Sequence, residues 1–344
     1  MKKSKINSNT LLLIITIVLF IVMYGAGCAV YASKGFTHLQ TLLNILITNA
    51  GLLCVAAGMT CVMLTGGIDI SVGSCVAMHC MFLAVGMLPK EAGGWGMSSP
   101  VLMLLVLIIG TVFGMVQGYL VAYLDIQPFI VSMAGLFFGR GMTAVISNQQ
   151  VDIQEPLFKA ISQFRIYMPG NIGAYVNKKG KLMVPYISVG VVVAILVVVA
   201  IYFMLKYTKF GRSIYAIGGN QQSATLMGLN VKKVKFMTYI LSGFLTAIGG
   251  ICFCLNTMNG NTQQALGLEM DAISSAVIGG TLLTGGVGNV IGTLFGVLIN
   301  GTISSLVKTN GKLDSSWPNV ITAILLCFFI LLQAVFAKLK EAKK

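Results

Sequence analysis

The chain has 344 residues, of which 56% are hydrophobic and only 9% are charged, and its formal net charge is +14. Soluble domains carry about 25% charged residues, so this composition excludes a globular protein with a water-facing surface and predicts an all-α polytopic membrane protein. In such a protein the excess of basic residues belongs to loops beside the bilayer. We therefore expect contact with membrane lipid and no binding of nucleic acid.

Apolar runs recur along the whole chain, and nine of them approach or exceed the ~20 residues that cross a hydrocarbon core as a helix. They are residues 11–32, 44–64, 71–88, 98–124, 128–146, 184–205, 236–255, 287–307 and 320–337. A tenth candidate, residues 271–283, is short and interrupted by Gly279 and Gly280. We predict about ten transmembrane helices in a single domain over residues 1–344, with broken or short helices near the centre. The first run is as long as a true span and has no good cleavage site, which favours a retained helix over a signal peptide.

Basic residues fall into three clusters, which the positive-inside rule places in the cytoplasm. They are Lys2, Lys3 and Lys5; Lys206, Lys209, Arg212, Lys232, Lys233 and Lys235; and Lys338, Lys340, Lys343 and Lys344. With an even number of spans, both termini and the loop 206–235 lie in the cytoplasm, and the segment 148–183 lies outside. That segment carries a basic patch of its own, "NKKGK" at 177–181, which opposes this orientation, although the rule is weaker for longer loops.

The eight cysteines all lie inside apolar runs, without a Cys-x-x-Cys pair, and the two histidines have no metal-ligand spacing. We interpret the cysteines as small buried side chains and expect no catalytic residue, metal or cofactor.

One Gly-rich motif occurs twice: "LTGGIDISVGS" at 64–74 aligns without gaps to "LTGGVGNVIGT" at 283–293. Gly-interrupted apolar segments at matching places in two halves are typical of transporters and indicate the translocation path. The motif therefore predicts an internal repeat, and leaves open whether it is parallel or inverted. The candidate path residues are Gly66, Gly67, Asp69, Ser71, Gly285, Gly286 and Asn289.

Asp69 is one of only nine acidic residues and has two possible roles. Next to a backbone break, its carboxylate and the Ser71 hydroxyl can accept from the free N–H groups at the start of the next helix, which have no water to bond in lipid. Alternatively, irregular backbone at membrane depth lines a cavity, where these polar side chains would face the translocation path. The two roles are compatible.

Within the loop 206–235, the sequence predicts a short helix over residues 221–227, capped by Asn220 and ended by Gly228. Such a helix either rests among anionic head groups or serves as a docking site for a cytoplasmic partner. Periodicity does not distinguish the two.

Four blocks carry a resemblance to a known family: "GGIDISVGS" (66–74), "QPFIVSMAGLFFGRG" (127–141), "FGRSIYAIGGNQQSATLMGLNV" (210–231) and "DAISSAVIGGTLLTGGVGNVIGTLFG" (271–296). In order over nearly the whole chain, they resemble the membrane subunit of bacterial sugar-importing ABC transporters, the ribose, xylose and galactoside permease group. Residues 268–301 and 139–147 resemble in particular the second permease of the galactofuranose system. The loop 148–183 departs most from the family pattern.

The resemblance implies a permease in the cytoplasmic (inner) membrane that does not hydrolyse ATP, and the chain has no Gly-x-x-x-x-Gly-Lys-Ser/Thr phosphate loop. It implies three partners: a cytoplasmic ATPase, an external or periplasmic sugar-binding protein, and a second copy or a related permease. It assigns ATPase coupling to the loop that contains Gly218, Gly219, Asn220, Gln222, Ala224 and Gly228. Arg140 matches a basic position of the family pattern and is interpreted as a structural anchor.

A proton-coupled secondary sugar transporter is the alternative function. Such carriers depend on acidic residues within the membrane, and Asp69 would be the sole candidate.

Overall fold

The computed structural model describes residues 8–176, 182–314 and 316–341. The basic residues predicted to face the cytoplasm at Lys2, Lys3, Lys5, Lys343 and Lys344, and the patch 177–181, lie outside this part of the chain.

Fourteen α-helices make up most of the described residues. In chain order they are α1 Ser8–Val30, α2 Leu39–Thr48, α3 Ala50–Leu64, α4 Val72–Met87, α5 Ser99–Ala122, α6 Pro128–Ile146, α7 Pro156–Gln163, α8 Val189–Tyr207, α9 Lys209–Gly219, α10 Gln221–Leu226, α11 Val231–Thr257, α12 Leu268–Ile278, α13 Val290–Asn310 and α14 Trp317–Glu341. Short 3₁₀ turns cover Ala32–Lys34, Lys90–Ala92 and Pro169–Asn171.

In the part of the chain that the structure describes, six short strands form three antiparallel pairs. Strand β1 Val151–Asp152 pairs with β6 Asn259–Gly260, β2 Arg165–Tyr167 pairs with β5 Tyr186–Ser188, and β3 Tyr175–Val176 pairs with β4 Leu182–Met183. Four of the six lie within the segment 148–183, which also carries α7. The longest loop of the prediction therefore has secondary structure of its own.

The prediction of an all-α polytopic membrane protein is confirmed, but the count of ten spans is too high. Seven helices of the described residues are long and apolar enough to cross a membrane, or eight if α2 and α3, which meet at a bend of 59°, are taken as one span. The predicted spans 71–88 and 271–283 correspond to α4 and α12, which have only 16 and 11 residues. Helix α12 ends at the double glycine 279–280, and α4 begins only after the irregular segment that contains Gly66 and Gly67.

The core is centred on the short helices α3, α4 and α12, together with the parts of α8, α11 and α13 that pack against them. All fifteen residues of α3 are buried, as is nearly all of α4. Helix α11 packs along α3, α4 and α5, while α12 and α13 close the other side of α3. Helices α1 and α14 lie at the periphery, where only 11% of the residues of each apolar span are buried. Apolar exposure of this kind matches a lipid environment.

Close packing of α5 on α11 depends on glycines spaced four residues apart. Gly110, Gly114 and Gly118 lie on one face of α5, and a Cβ atom at Gly110 or Gly118 would lie 2.7 or 2.9 Å from a carbonyl oxygen of α11. Small residues at this spacing let two membrane helices approach until their backbones touch.

Candidate functional site

The first copy of the repeated motif interrupts the chain between α3 and α4. Helix α3 ends at Leu64, Gly66 adopts a φ of +79°, and α4 begins at Val72. A positive φ strains any residue with a side chain, which explains a glycine at this position. Asp69 lies in this break and is buried, with 3% of its surface exposed.

Hydrogen bonds join Asp69 to the residue before α4 and to α11. Its Oδ1 accepts from the backbone N–H and the hydroxyl of Ser71, at 3.1 and 2.5 Å, and its Oδ2 accepts from the hydroxyl of Ser242 on α11 at 3.4 Å. Gln117 of α5 donates to the Ser71 hydroxyl at 2.9 Å. The carboxylate thus accepts one backbone N–H just before α4, and it also takes part in a polar network between helices.

A small polar cavity of about 10 Å³ adjoins this network, with Asp69, Ser71, Gln117, His79 and Thr246 in its wall. This volume is close to the minimum for one water molecule. Both ring nitrogens of His79 and the hydroxyl of Thr246 are buried and have no hydrogen-bond partner among the described residues. Sequence reasoning missed Gln117, Ser242, His79 and Thr246. The available signal was a polar side chain within an apolar span, which in a membrane is costly and usually faces the protein interior.

An apolar cavity of about 720 Å³ lies next to it, between α4, α5 and α6. His79 and Gln117 belong to the walls of both cavities. The remaining lining is almost entirely hydrocarbon, with side chains such as Phe82, Val112 and Phe138. His79 and Gln117, which also line the smaller cavity, are therefore the polar side chains in the wall of the larger one.

The second copy of the motif connects α12 to α13. Gly285 and Gly286 have φ values of +87° and +74°. Asn289 is the N-cap of α13, where its side chain accepts from the backbone N–H of Ile291 at 3.0 Å. The sequence motif therefore marks a helix break in both places.

The two breaks contact each other. The amide of Gly286 donates to the carbonyl oxygen of Leu64 at 3.0 Å. A Cβ atom at Gly285 would lie 2.8 Å from the amide nitrogen of Gly66 and 3.2 Å from the Cα of Gly218 at the end of α9. The structure thus brings three of the predicted glycine pairs, 66–67, 285–286 and 218–219, to one place.

The loop 206–235 is ordered as α9 and α10. The Asn220 side chain caps α10 by accepting from the backbone N–H of Ser223 at 2.8 Å, and Gly228 has a φ of +80° just beyond its end. Ala224 is fully buried, so its side chain faces the rest of the chain, whereas Gln222 is exposed. The most exposed apolar side chains of this segment are Leu226 and Met227, at 89% and 69%.

Arg140 lies on α6, half-buried. Its guanidinium donates to the backbone carbonyl oxygens of Gln264 and Ala265, at 2.6 and 3.1 Å. These contacts fix the segment that leads into α12. The predicted role of Arg140 as a structural anchor would act through these backbone contacts within the protein.

Comparison with known proteins identifies the family. Residues 41–331 match the family described as "Branched-chain amino acid transport system / permease component", and the chain belongs to this family. It is 39% identical to the inner membrane ABC transporter permease protein YjfF of Escherichia coli (strain K12) over 332 residues, which are 96% of this chain and 94% of the relative.

Two further relatives are named for sugars. The chain is 32% identical to the fructose import permease protein FruG of Bifidobacterium longum, over 100% of this chain and 96% of the relative. It is 31% identical to the ribose import permease protein RbsC of Escherichia coli (strain K12), over 88% of each chain. No solved structure matches the chain. The chain is therefore a multi-pass inner-membrane permease subunit of the sugar ABC importers, in the ribose and xylose group, and not itself an enzyme.

Proposed function

We propose that this chain forms the path by which a monosaccharide of the galactofuranose, galactose or ribose type crosses the membrane. The observation that carries the proposal is the chemistry of the break beside Asp69. Apart from that one carboxylate, the hydrogen-bonding groups there are hydroxyls, an amide and an imidazole, supplied by Ser71, Ser242, Thr246, Gln117 and His79. Hydroxyls and amides bind sugar hydroxyl groups without requiring a charge on the substrate. The glycines of both breaks and Asn289 belong to the same path.

We also propose that α10 docks onto a separate ATPase subunit. Leu226 and Met227 are adjacent, apolar and exposed, while Ala224 holds the opposite face of α10 against the chain. An exposed apolar pair on a short, well-capped helix suits insertion into a groove of another protein. The basic residues around this loop favour the cytoplasmic side, with both termini on that side too.

The other partners follow from the same arrangement. The segment 148–183 then faces outward, where it meets an external or periplasmic sugar-binding protein. The second permease of the complex is a copy of this chain or a related permease. Family membership favours ATP-driven import over the proton-coupled alternative.

The substrate is tested with the full complex reconstituted in liposomes, with ATP inside and the binding protein outside. Uptake of labelled ribose, fructose, galactose and galactofuranose is compared with uptake of leucine, because the description of the family mentions branched-chain amino acids. We expect uptake of one monosaccharide and none of leucine. Leucine uptake without sugar uptake would refute the proposal.

The docking helix is tested by site-specific photo-crosslinking in the same complex. A photo-reactive residue in place of Leu226 or Gln222 should crosslink to the ATPase. Val18, an exposed residue of the peripheral helix α1, is the matched control and should give no such product. Equal crosslinking from positions 18 and 226 would contradict docking at α10.

A further inference from the structure

The end of α9 lies directly on the junction between the two helix breaks. A Cβ atom at Gly218 would overlap both the carbonyl oxygen of Leu64 and the amide of Gly286, the two groups that hydrogen-bond to each other across the junction. Only a residue without a side chain can approach this pair so closely. We call the contact of Gly218 with Leu64 and Gly286 the glycine seat.

A second contact holds α9 to the same place. The hydroxyl of Tyr215, one helical turn before the seat, donates to the carbonyl oxygen of Gly288 at 2.9 Å. Tyr215 is partly buried, so this hydrogen bond is shielded from competing water. Helix α9 therefore holds the second break at two points, Gly286 and Gly288, and the first break at Leu64.

Helices α9 and α10 are joined without an intervening flexible segment. Asn220 is the only residue between them. Its backbone N–H donates to the carbonyl oxygen of Ala216 at 3.1 Å and so ends α9, while its side chain caps α10. A displacement of α10 is thus passed to Gly218 over two residues.

A second connection joins α10 to the transmembrane helices, and its contacts are weaker. It runs to α11 through Lys235, whose ammonium donates to the side-chain oxygen of Gln221 at 2.8 Å. Gln221 is exposed and Lys235 is only partly buried, and a polar contact between two such side chains contributes little rigidity.

We propose that the glycine seat and Tyr215 transmit movement of the docking helix to both helix breaks at once, and that the joined breaks are the inner gate of the sugar path. This inference rests on the proposed docking of an ATPase at α10. In it, Tyr215 and Gly218 are positioning residues, because they act on the breaks and do not touch the sugar.

The test uses the complete reconstituted complex with Tyr215→Phe, which keeps the ring and removes only the hydroxyl. Three quantities are measured: retention of the ATPase on purification, ATP hydrolysis, and sugar molecules imported per ATP hydrolysed. We expect the ATPase to be retained and import per ATP to fall about fivefold, the effect of one lost neutral hydrogen bond. If Tyr215 only stabilised the fold, Tyr215→Phe would lower the yield of the complex and leave the sugar imported per ATP unchanged.

Tyr207→Phe is the matched control, since Tyr207 is exposed at the end of α8 and its ring still faces Lys206 after the change. Gly218→Ala should lower import per ATP further, and Gly25→Ala, where nothing lies within 4 Å of the added methyl group, should not. If Gly218→Ala prevents assembly of the complex, the sugar imported per ATP by the Tyr215→Phe complex tests the inference without it.

The proposed docking and this inference fail in different ways. If the unaltered complex does not retain the ATPase through α10, the docking proposal is wrong. If docking is intact and Tyr215→Phe imports as much sugar per ATP as the unaltered chain, the inference is wrong. Loss of the ATPase from the Tyr215→Phe complex would also overturn it, because Tyr215 would then act on docking and not on the gate.

Discussion

The guanidinium of Arg140 donates a 2.6 Å hydrogen bond to the backbone carbonyl oxygen of Gln264, a residue 124 positions further along the chain. A second bond reaches the carbonyl oxygen of Ala265 at 3.1 Å. Through these two bonds α6 fixes the irregular segment before α12. The planar guanidinium can serve two neighbouring acceptors at once, which an ammonium group does less well.

Replacing Arg140 should therefore destabilise the fold. For Arg140→Gln we expect the free energy of unfolding in detergent to fall by about 1–3 kcal/mol, the usual range for a hydrogen bond to a charged group. Arg140→Lys should recover part of the loss, since it keeps the charge but not the fork of donors. Thermal unfolding of the purified chain measures both, and equal stability of all three proteins would contradict the anchor role.

The glycine face of α5 gives a prediction with a close control. Gly114→Ala places a methyl group against the carbonyl oxygen of Tyr239 on α11, and overpacking of this kind costs about 1–3 kcal/mol. Gly141→Ala on α6 adds the same methyl group where nothing lies within 4 Å. We expect a lower unfolding temperature for the first variant and an unchanged or higher one for the second, because alanine favours a helix over glycine by about 1 kcal/mol. The packing argument fails if the two variants unfold alike.

Much of this architecture could be predicted from the sequence. Long apolar runs identified the spanning helices, and the repeated Leu-Thr-Gly-Gly motif located both breaks. The glycine pair alone is not sufficient, because Gly249 and Gly250 lie within the continuous helix α11. Asn220 and Gly228 predicted where α10 begins and ends. These features depend on residues that are close together in the sequence, so the sequence alone predicts them.

Features that depend on tertiary packing could not be predicted. Hydropathy counts α4 and α12 as spans, since a buried half-helix is as apolar as a lipid-facing one. The contact of Gly218 with Leu64 and Gly286 joins three distant segments, and no local pattern indicates it. Ala224 and Leu226 are both apolar, so only the packed structure distinguishes the buried side chain from the exposed one.

The buried hydroxyl of Tyr215 predicts how the stability of the fold depends on pH. Burial raises the pKa of Tyr215 to about 12, whereas an unfolded chain releases this proton near pH 10. The folded state therefore holds the proton more tightly, so its contribution to stability is complete below about pH 10 and is lost as the pH rises toward 12. The difference in unfolding temperature between the unaltered chain and Tyr215→Phe should be constant from about pH 7 to 9 and change above about pH 10. A difference that stays constant through about pH 10 to 12 would show that the hydroxyl is not buried as described, because an exposed tyrosine has the same pKa in the folded and the unfolded chain.

Asp69→Asn separates the two roles of this residue in the proposed sugar path. Asparagine keeps an oxygen that accepts from the N–H and hydroxyl of Ser71, and its amide can donate to Ser242, so folding and assembly with the partners should persist. If the charge also binds the sugar, uptake should fall about fivefold, since a hydrogen bond to a charged group contributes ~1 kcal/mol more than a neutral one. Asp314→Asn, at an exposed position between α13 and α14, is the control and should transport normally.

Sugar uptake by cells is measured with and without an uncoupler while ATP is held constant, and we expect the uncoupler to have no effect on either variant. Unchanged uptake by Asp69→Asn would restrict Asp69 to its structural role, and uptake that follows the proton gradient instead of ATP would refute ATP-driven import.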